Sequence, residues 1–265
     1  MWYWNYWKEP SKYTDDIYHV GSANAPAWVI KSTDGLILLD TGLPQTLYQL
    51  MENLRKMNFD YHDIKHILHS HGHIDHIGGT RALAELTGAK TYIGEGDVDM
   101  VTGKNQLQWT NEFGIAFEEP FEPDVIIKDG DKITIGEKTF SFVACPGHSQ
   151  GTLSIFFNCY DKGVEYRAGM FGGAGKGTMT KAYLEKYNLS FDCRKQFIES
   201  IDKVINEKVD VHLGNHLGDN KHSEKLEKSL ASNYEPNAFI DQTTWRWFLE
   251  RRRTEALRQF ADPEF

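Results

Sequence analysis

The sequence predicts an α/β protein made of two β-sheets with helices packed on their outer sides. Two observations carry this. Strand-type runs alternate with single helical segments through both halves of the chain, and stacked layers are how such half-apolar elements bury their apolar sides. Too many neighbouring strands are joined by hairpin turns for a regular βαβ repeat.

Taken in order, residues 16–21, 27–31 and 35–40 are short β-type runs, and Ser32 to Gly35 between the last two reads as a hairpin turn. Leu36, Ile37, Leu38 and Leu39 are continuously apolar, as in a strand covered on both faces. Residues 47–57 place Leu47, Leu50, Met51 and Leu54 on one helical face. A strand at 64–69 leads into a histidine-rich loop. A helix at 80–86 is closed by Gly88. Residues 125–144 read as three strands separated by the turns KDGDK and GEK, and 153–157 and 164–169 as two more. A helix at 194–206, a strand at 209–213 and helices near 223–231 and 241–260 complete the chain.

The bulk properties narrow the function. The 265 residues suit one large domain or two small ones. With 40% hydrophobic and 25% charged residues the composition is that of a globular protein. No apolar run approaches the ~20 residues that cross a bilayer. A net charge of −9 argues against nucleic acid as a partner, and the cluster Arg246, Arg251, Arg252 and Arg253 reads as the solvated face of a helix. Three cysteines, Cys145, Cys159 and Cys193, do not make a disulfide framework. The first eight residues lack the pattern of a signal peptide. The expected location is the cytoplasm, or the periplasm or exterior if a signal peptide has been removed. Trp2, Tyr3, Trp4, Tyr6 and Trp7 read as a lid over the site, a docking segment or plain packing.

The decisive segment is HSHGHIDHIGG, residues 69–79. Eight positions, 69–76, hold four of the 11 histidines and an aspartate. Imidazole and carboxylate are the usual nitrogen and oxygen ligands of zinc. His71 and His73, two apart in extended chain, project to one side. Asp75 and His76 follow where the chain turns into a helix, so they face a second point beside the first. Ile67, Leu68, Ile74 and Ile77 embed the loop in apolar sequence, which argues against a surface cluster of polar histidines.

The motif HSHGHIDHIGG resembles the H-x-H-x-D-H signature of the metallo-β-lactamase superfamily. LLDTG (38–42), CPGHSQGT (145–152) and DVHLGNHLGDN (210–220) match its other motifs in order. The resemblance implies a four-layer αββα sandwich, a single domain over residues 1–265, and two zinc ions per chain. It assigns His71, His73 and His148 to one zinc, and Asp75, His76 and His216 to the other. His212 is the rival of His216. In RAGMFGG, Met170 stands where many family hydrolases place a bridging aspartate. That departure, with GLILLDTG, the GNH segment and the tail FIDQTTWRWF, resembles the third subclass of metallo-β-lactamases.

The remaining residues carry two readings each. Asp40 orients a ligand histidine or caps a turn. His69 is a second-layer partner of the metal site, whereas His62 and His222 read as surface residues. Cys145 reads as a small buried residue at a strand end. Residues 172–177 fail the phosphate-loop pattern, since Gly177 follows Lys176 where Ser or Thr is needed, and read as a flexible loop beside the site. Tyr183 and Tyr187 bind substrate or simply pack. The expected chemistry is attack of metal-activated hydroxide on a carbonyl carbon of a small molecule, with Asp75 as orienting and proton-relaying group. The leading substrate is a β-lactam amide, with antibiotic resistance as the consequence. The alternatives are a lactone, ester or thioester, an iron redox function, and a non-catalytic metal-binding relative.

Overall fold

The computed structural model describes residues 7–265. The expectation placed on Trp2, Tyr3, Trp4 and Tyr6 lies outside the described residues. One sheet has seven strands in chain order: β1 (Ser11–Lys12), β2 (Ile17–His19), β3 (Trp28–Ser32), β4 (Gly35–Leu39), β5 (Ile64–Leu68), β6 (Lys90–Gly94) and β7 (Val125–Ile127). The other holds β8 (Lys132–Ile135), β9 (Lys138–Ala144), β10 (Leu153–Asp161), β11 (Val164–Phe171) and β12 (Val211–His212), ordered β12-β11-β10-β9-β8. The helices are α1 (Leu47–Lys56), α2 (Ile74–Ile77), α3 (Thr80–Thr87), α4 (Val98–Val101), α5 (Thr110–Phe113), α6 (Lys181–Lys186), α7 (Asp192–Val204), α8 (His222–Ala231) and α9 (Thr243–Phe260).

Side-chain alternation builds four layers. Between the sheets, Trp28, Ile30, Ile37 and Leu39 meet Phe140, Phe142, Ile155 and Phe157. On the far side of the first sheet, Val29, Leu38 and Ile67 meet Leu50 and Leu54 of α1 and Leu83 of α3. On the far side of the second, Phe156 and Phe171 meet Phe197 and Ile201 of α7 and Trp245 and Phe248 of α9. Adjacent strand residues thus serve different cores, as a period of two requires. This is the two-sheet architecture that the sequence predicts. Among the described residues no helix is long and apolar enough to cross a membrane.

The first sheet changes character midway. β1 to β4 are antiparallel, including the anticipated hairpin that pairs Ser32 with Gly35. β4 to β7 run parallel, so their carboxyl ends gather on one edge, where open α/β sheets form their sites. The chain leaves β4 at Asp40, β5 at His69 and β6 at the 95–97 turn. Strand β6 carries no clear sequence signal. KTYIG is a short mixed run, and its burial comes from lying between β5 and β7. Helices α4, α5 and α6 are likewise too short, at four, four and six residues, for a periodic signal.

Two surface assignments need correction. His222 is buried, and its Nδ1 lies 2.6 Å from the Tyr13 hydroxyl. An apolar neighbourhood of Tyr13, Phe239 and His19 covers it, which its polar local sequence does not reveal. Arg252 is half-buried and pairs at 2.7 Å with Asp219, unlike Arg246, Arg251 and Arg253, which make ordinary surface pairs. Trp7 donates to Glu9, and the Lys56 ammonium sits 4.7 Å from its ring.

His212 lies on the outer side of β12, with Trp245 and Phe248 at ring distances of 5.3 and 5.0 Å. Neither ring nitrogen has a hydrogen-bond partner, and burial pushes its pKa down to about 3. The folded ring therefore stays neutral where the unfolded one, with a pKa near 6.5, takes up a proton. Stability from this group is full above pH 6.5 and is lost as pH falls toward 3. The unfolding free energy from urea titration should drop between pH 7 and pH 5, by about 2 kcal/mol from this residue alone. His212→Phe should flatten that dependence, and an unchanged slope would contradict the assignment.

Candidate metal centre

Four chain segments meet at the edge formed by β4, β5, β10 and β11. The first is the histidine loop. His73 ends it in extended conformation as the cap of α2 (φ −76, ψ 150), and Asp75 and His76 lie within that helix. The second is the 145–152 turn, closed by Cys145 N–H donating to the Thr152 carbonyl. The third is 213–220, after β12. The fourth is Asp40, in the left-handed region at φ 61. A non-glycine residue held there is strained unless its surroundings impose it. Asp40 is buried and accepts three hydrogen bonds, from Ser70 N at 2.8 Å, Ser70 Oγ at 2.7 Å and His76 Nδ1 at 2.8 Å.

The six residues assigned by resemblance gather in two overlapping groups. His71 Nε2 lies 3.0 Å from His73 Nδ1 and 3.1 Å from His148 Nε2. His71, Asp75 and His76 form a second set, whose candidate ligand atoms lie within 4.8 Å of one another. His216 approaches that set from the rim. Its Nε2 is 3.9 Å from Asp75 Oδ2 and its side chain is 42% exposed. His212 points to the other side of the sheet, among Trp245 and Phe248.

Hydrogen bonds on the remote ring nitrogens orient most of these imidazoles. His148 Nδ1–H donates to the Gly175 carbonyl at 2.7 Å, and His216 Nδ1–H to the Asn24 carbonyl at 2.7 Å. His76 Nδ1–H donates to Asp40, and His71 Nδ1 sits 3.1 Å from Ser70 Oγ. Ser70 is itself held by Asp40 and by Asn215 Nδ2 at 3.0 Å. These partners fix tautomers that leave the Nε2 atoms of His71 and His148 without a proton, their lone pairs facing each other. No hydrogen bond can form between two such atoms; a cation between them removes the conflict. Ligand atoms 2.0–2.1 Å from a tetrahedral zinc sit about 3.3 Å apart, close to the separations here. Nε2 of His76 is moreover buried without a hydrogen-bond partner. The donor set therefore fits a divalent metal.

Electrostatics agree. Burial, with the neighbouring rings, holds His71 and His73 well below the ordinary imidazole range and pushes His148 down to about 4. All three are neutral near pH 7, the form that binds metal. For His76 burial works the same way, but the Asp75 and Asp40 carboxylates beside it prevail and raise it to about 10. Burial likewise opposes the Asp75 charge, yet His76 holds that carboxyl below the usual range. A positive charge is thus favoured between these carboxylates.

A cleft of about 290 Å³ opens beside His73 and His148, walled by Met100, Leu107, Tyr183, Leu184 and Leu189. The ring of Trp109, itself in the left-handed region at φ 68, lies 5.9 Å from His73 and 4.9 Å from Tyr183. Tyr187 is not part of this wall, and its hydroxyl engages Asn111 and Glu112.

Other candidates fall elsewhere. His69 bonds the Tyr92 carbonyl and Thr80 Oγ1, not a ligand. Cys145 is buried against Ser154 and Ser200. Met170 is fully buried in the core between the sheets. The 172–177 loop is packed on the site: a Cβ at Gly173 would come within 2.4 Å of the His148 ring. Ser70, Asn215, Asp97 and Trp109 escaped the sequence reading. Ser70 and Asn215 directly adjoin His71 and His216 in sequence, which is the one signal they carry.

The profile of the metallo-beta-lactamase superfamily matches residues 21–161. The structure is similar to BJP-1, a subclass B3 metallo-beta-lactamase of Bradyrhizobium japonicum, with a TM-score of 0.87 and 28% identity over 98% of this chain and 97% of that one. It shares its fold with the FEZ-1 metallo-beta-lactamase of Legionella gormanii, with a TM-score of 0.84 and 23% identity over 96% and 95% of the two chains. In sequence it is 28% identical over 134 residues to a hydroxyacylglutathione hydrolase of Buchnera aphidicola, covering 50% of this chain and 43% of that protein. The chain spans 42% to 57% of the length of the curated relatives it matches first. With four motifs, the two-sheet fold and the convergent histidines on one edge, the chain belongs to the metallo-beta-lactamase superfamily.

Proposed function

We propose that this chain, residues 1–265 acting as one catalytic unit, is a hydrolase that holds two zinc ions and opens the carbonyl–nitrogen bond of a β-lactam. The observation that carries the reading is the facing of the His71 and His148 lone pairs, fixed by Ser70 and Gly175. His71, His73 and His148 would hold one ion, and Asp75, His76 and His216 the other. Zinc held there would supply a water with a pKa of about 7 and a Lewis acid for a carbonyl oxygen.

The chain's own groups do the rest. His76 keeps the Asp75 carboxyl ionised, so near neutral pH it would accept a hydrogen bond from a water and orient it. Any proton it relays would be held only transiently, since a carboxyl below its usual range is a weak base. Asp40 and Ser70 hold the ligand rings in place and so reduce the reorganisation that the reaction requires. Met100, Leu107 and Leu184 exclude water beside His73 and receive an apolar substituent of the substrate, with Tyr183 and Trp109 as an aromatic wall. Three buried, unpaired cysteines support a cytoplasmic location.

A second reading, hydrolysis of a lactone, ester or thioester, is favoured by the similarity to the Buchnera hydroxyacylglutathione hydrolase.

Zinc-loaded protein should hydrolyse a chromogenic cephalosporin, and a chelator should abolish the activity. Turnover of thioesters or lactones alone would select the second reading. Metal analysis should give up to two zinc ions per chain; hydrolysis by protein free of metal would sink both. His73→Ala should lose metal and activity together, and a fully active variant would refute the ligand assignment. Asp40→Asn should weaken zinc binding by about 10- to 100-fold, measured by chelator competition.

A further inference from the structure

We infer that Asp97 is the positioning residue that sets the spacing of the three-histidine site, by stapling the histidine loop to the His148 turn. The inference rests on the metal-binding reading above and adds a residue to it. Asp97 belongs to the turn between β6 and α4 and is fully buried. Its Oδ2 accepts from Gly72 N at 2.8 Å and from Ser149 Oγ at 2.6 Å, and its Oδ1 accepts from Gly151 N at 2.7 Å. Gly72 stands between His71 and His73, and Ser149 follows His148. Each of the three ligands is therefore the chain neighbour of a residue that Asp97 holds.

The backbones around Asp97 touch as closely as chains can. A Cβ at Gly151 would lie 2.4 Å from Asp97 N, one at Gly96 2.4 Å from the Gln150 carbonyl, and one at Gly94 2.2 Å from the Gly151 carbonyl. None of these glycines has a positive φ. Close approach, not an unusual conformation, is what demands them. The 94–97 turn is thus seated directly on the 150–151 turn, and the carboxylate bridges from there to the histidine loop.

Both carboxylate oxygens face donors. The isosteric amide offers one oxygen and one NH2, so in either orientation it turns an N–H toward the N–H of Gly72 or of Gly151. Asp97→Asn preserves volume but breaks one strap. A shift of a few tenths of an ångström between His71 and His148 follows directly in the ligand separation, to which tetrahedral coordination is sensitive.

The test is cobalt(II) titration of the metal-free full chain, read by the visible bands of the bound ion and by chelator competition. Urea unfolding runs in parallel. Asp97→Asn should remain cooperatively folded, weaken cobalt binding by about 10- to 100-fold and change the band intensities. Ser149→Ala, which removes one donor, should give a smaller change in the same direction and serves if Asp97→Asn does not fold. Asp16→Asn is the control. That buried carboxylate bonds Lys138 and Tyr160 N near the other end of β10, so its loss should lower stability and leave the cobalt spectrum unchanged. Wild-type spectrum and affinity in both Asp97→Asn and Ser149→Ala would overturn the inference while the metal reading stands. A wild-type protein that binds no cobalt would overturn both.

Discussion

The Nε2 atoms of His71 and His148 face each other at 3.1 Å in a part-buried pocket, an apposition that a shared cation would satisfy. The remote nitrogens of both rings are committed elsewhere. His148 is held by a backbone carbonyl of the 172–177 loop, and His71 by Ser70. Ser70 and His76 share one carboxylate, Asp40, which is itself confined to a strained backbone conformation. The strained Asp40 and the facing lone pairs belong to one connected site.

The fold supports this edge from several directions. Parallel strands β4, β5 and β6 end together, so Asp40, the histidine loop and Asp97 leave the sheet side by side. The second sheet reaches the same edge through Leu153 N–H, which donates to the Ser70 carbonyl at 2.9 Å. Helix α9 contributes from outside. Arg252 pairs with Asp219, whose other oxygen accepts from His216 N at 3.2 Å. The C-terminal helix therefore braces the last ligand loop as well as covering the second sheet.

Electrostatics divide the candidate ligands. His71, His73 and His148 are kept neutral by burial and by each other, whereas His76 lies between two carboxylates that favour a positive charge. One half of the site supplies lone pairs and the other supplies negative charge. Beside them the cleft at His73 is walled mainly by carbon, next to a strongly polar centre.

The local pattern determined much of this protein by itself. Strand alternation, the Ser32–Gly35 hairpin, the face of α1 and the dense histidine loop are short-range features, readable because side-chain direction follows position in a strand or helix. Motif order pointed to His148 and His216. Only the tertiary structure decided what depends on long-range neighbours. Strand β6 exists because β5 and β7 flank it. His212 packs on the outer side of β12 and His216, four residues on, lies in the loop beyond it at the site. His222 is buried by Tyr13 and Phe239, more than two hundred and about twenty residues away in sequence. Asp97 looks like any turn aspartate until the folded chain brings Gly72 and Gly151 to its two oxygens. Hydrogen bonds between distant segments leave no periodic trace in a single sequence, and here such bonds hold the site together.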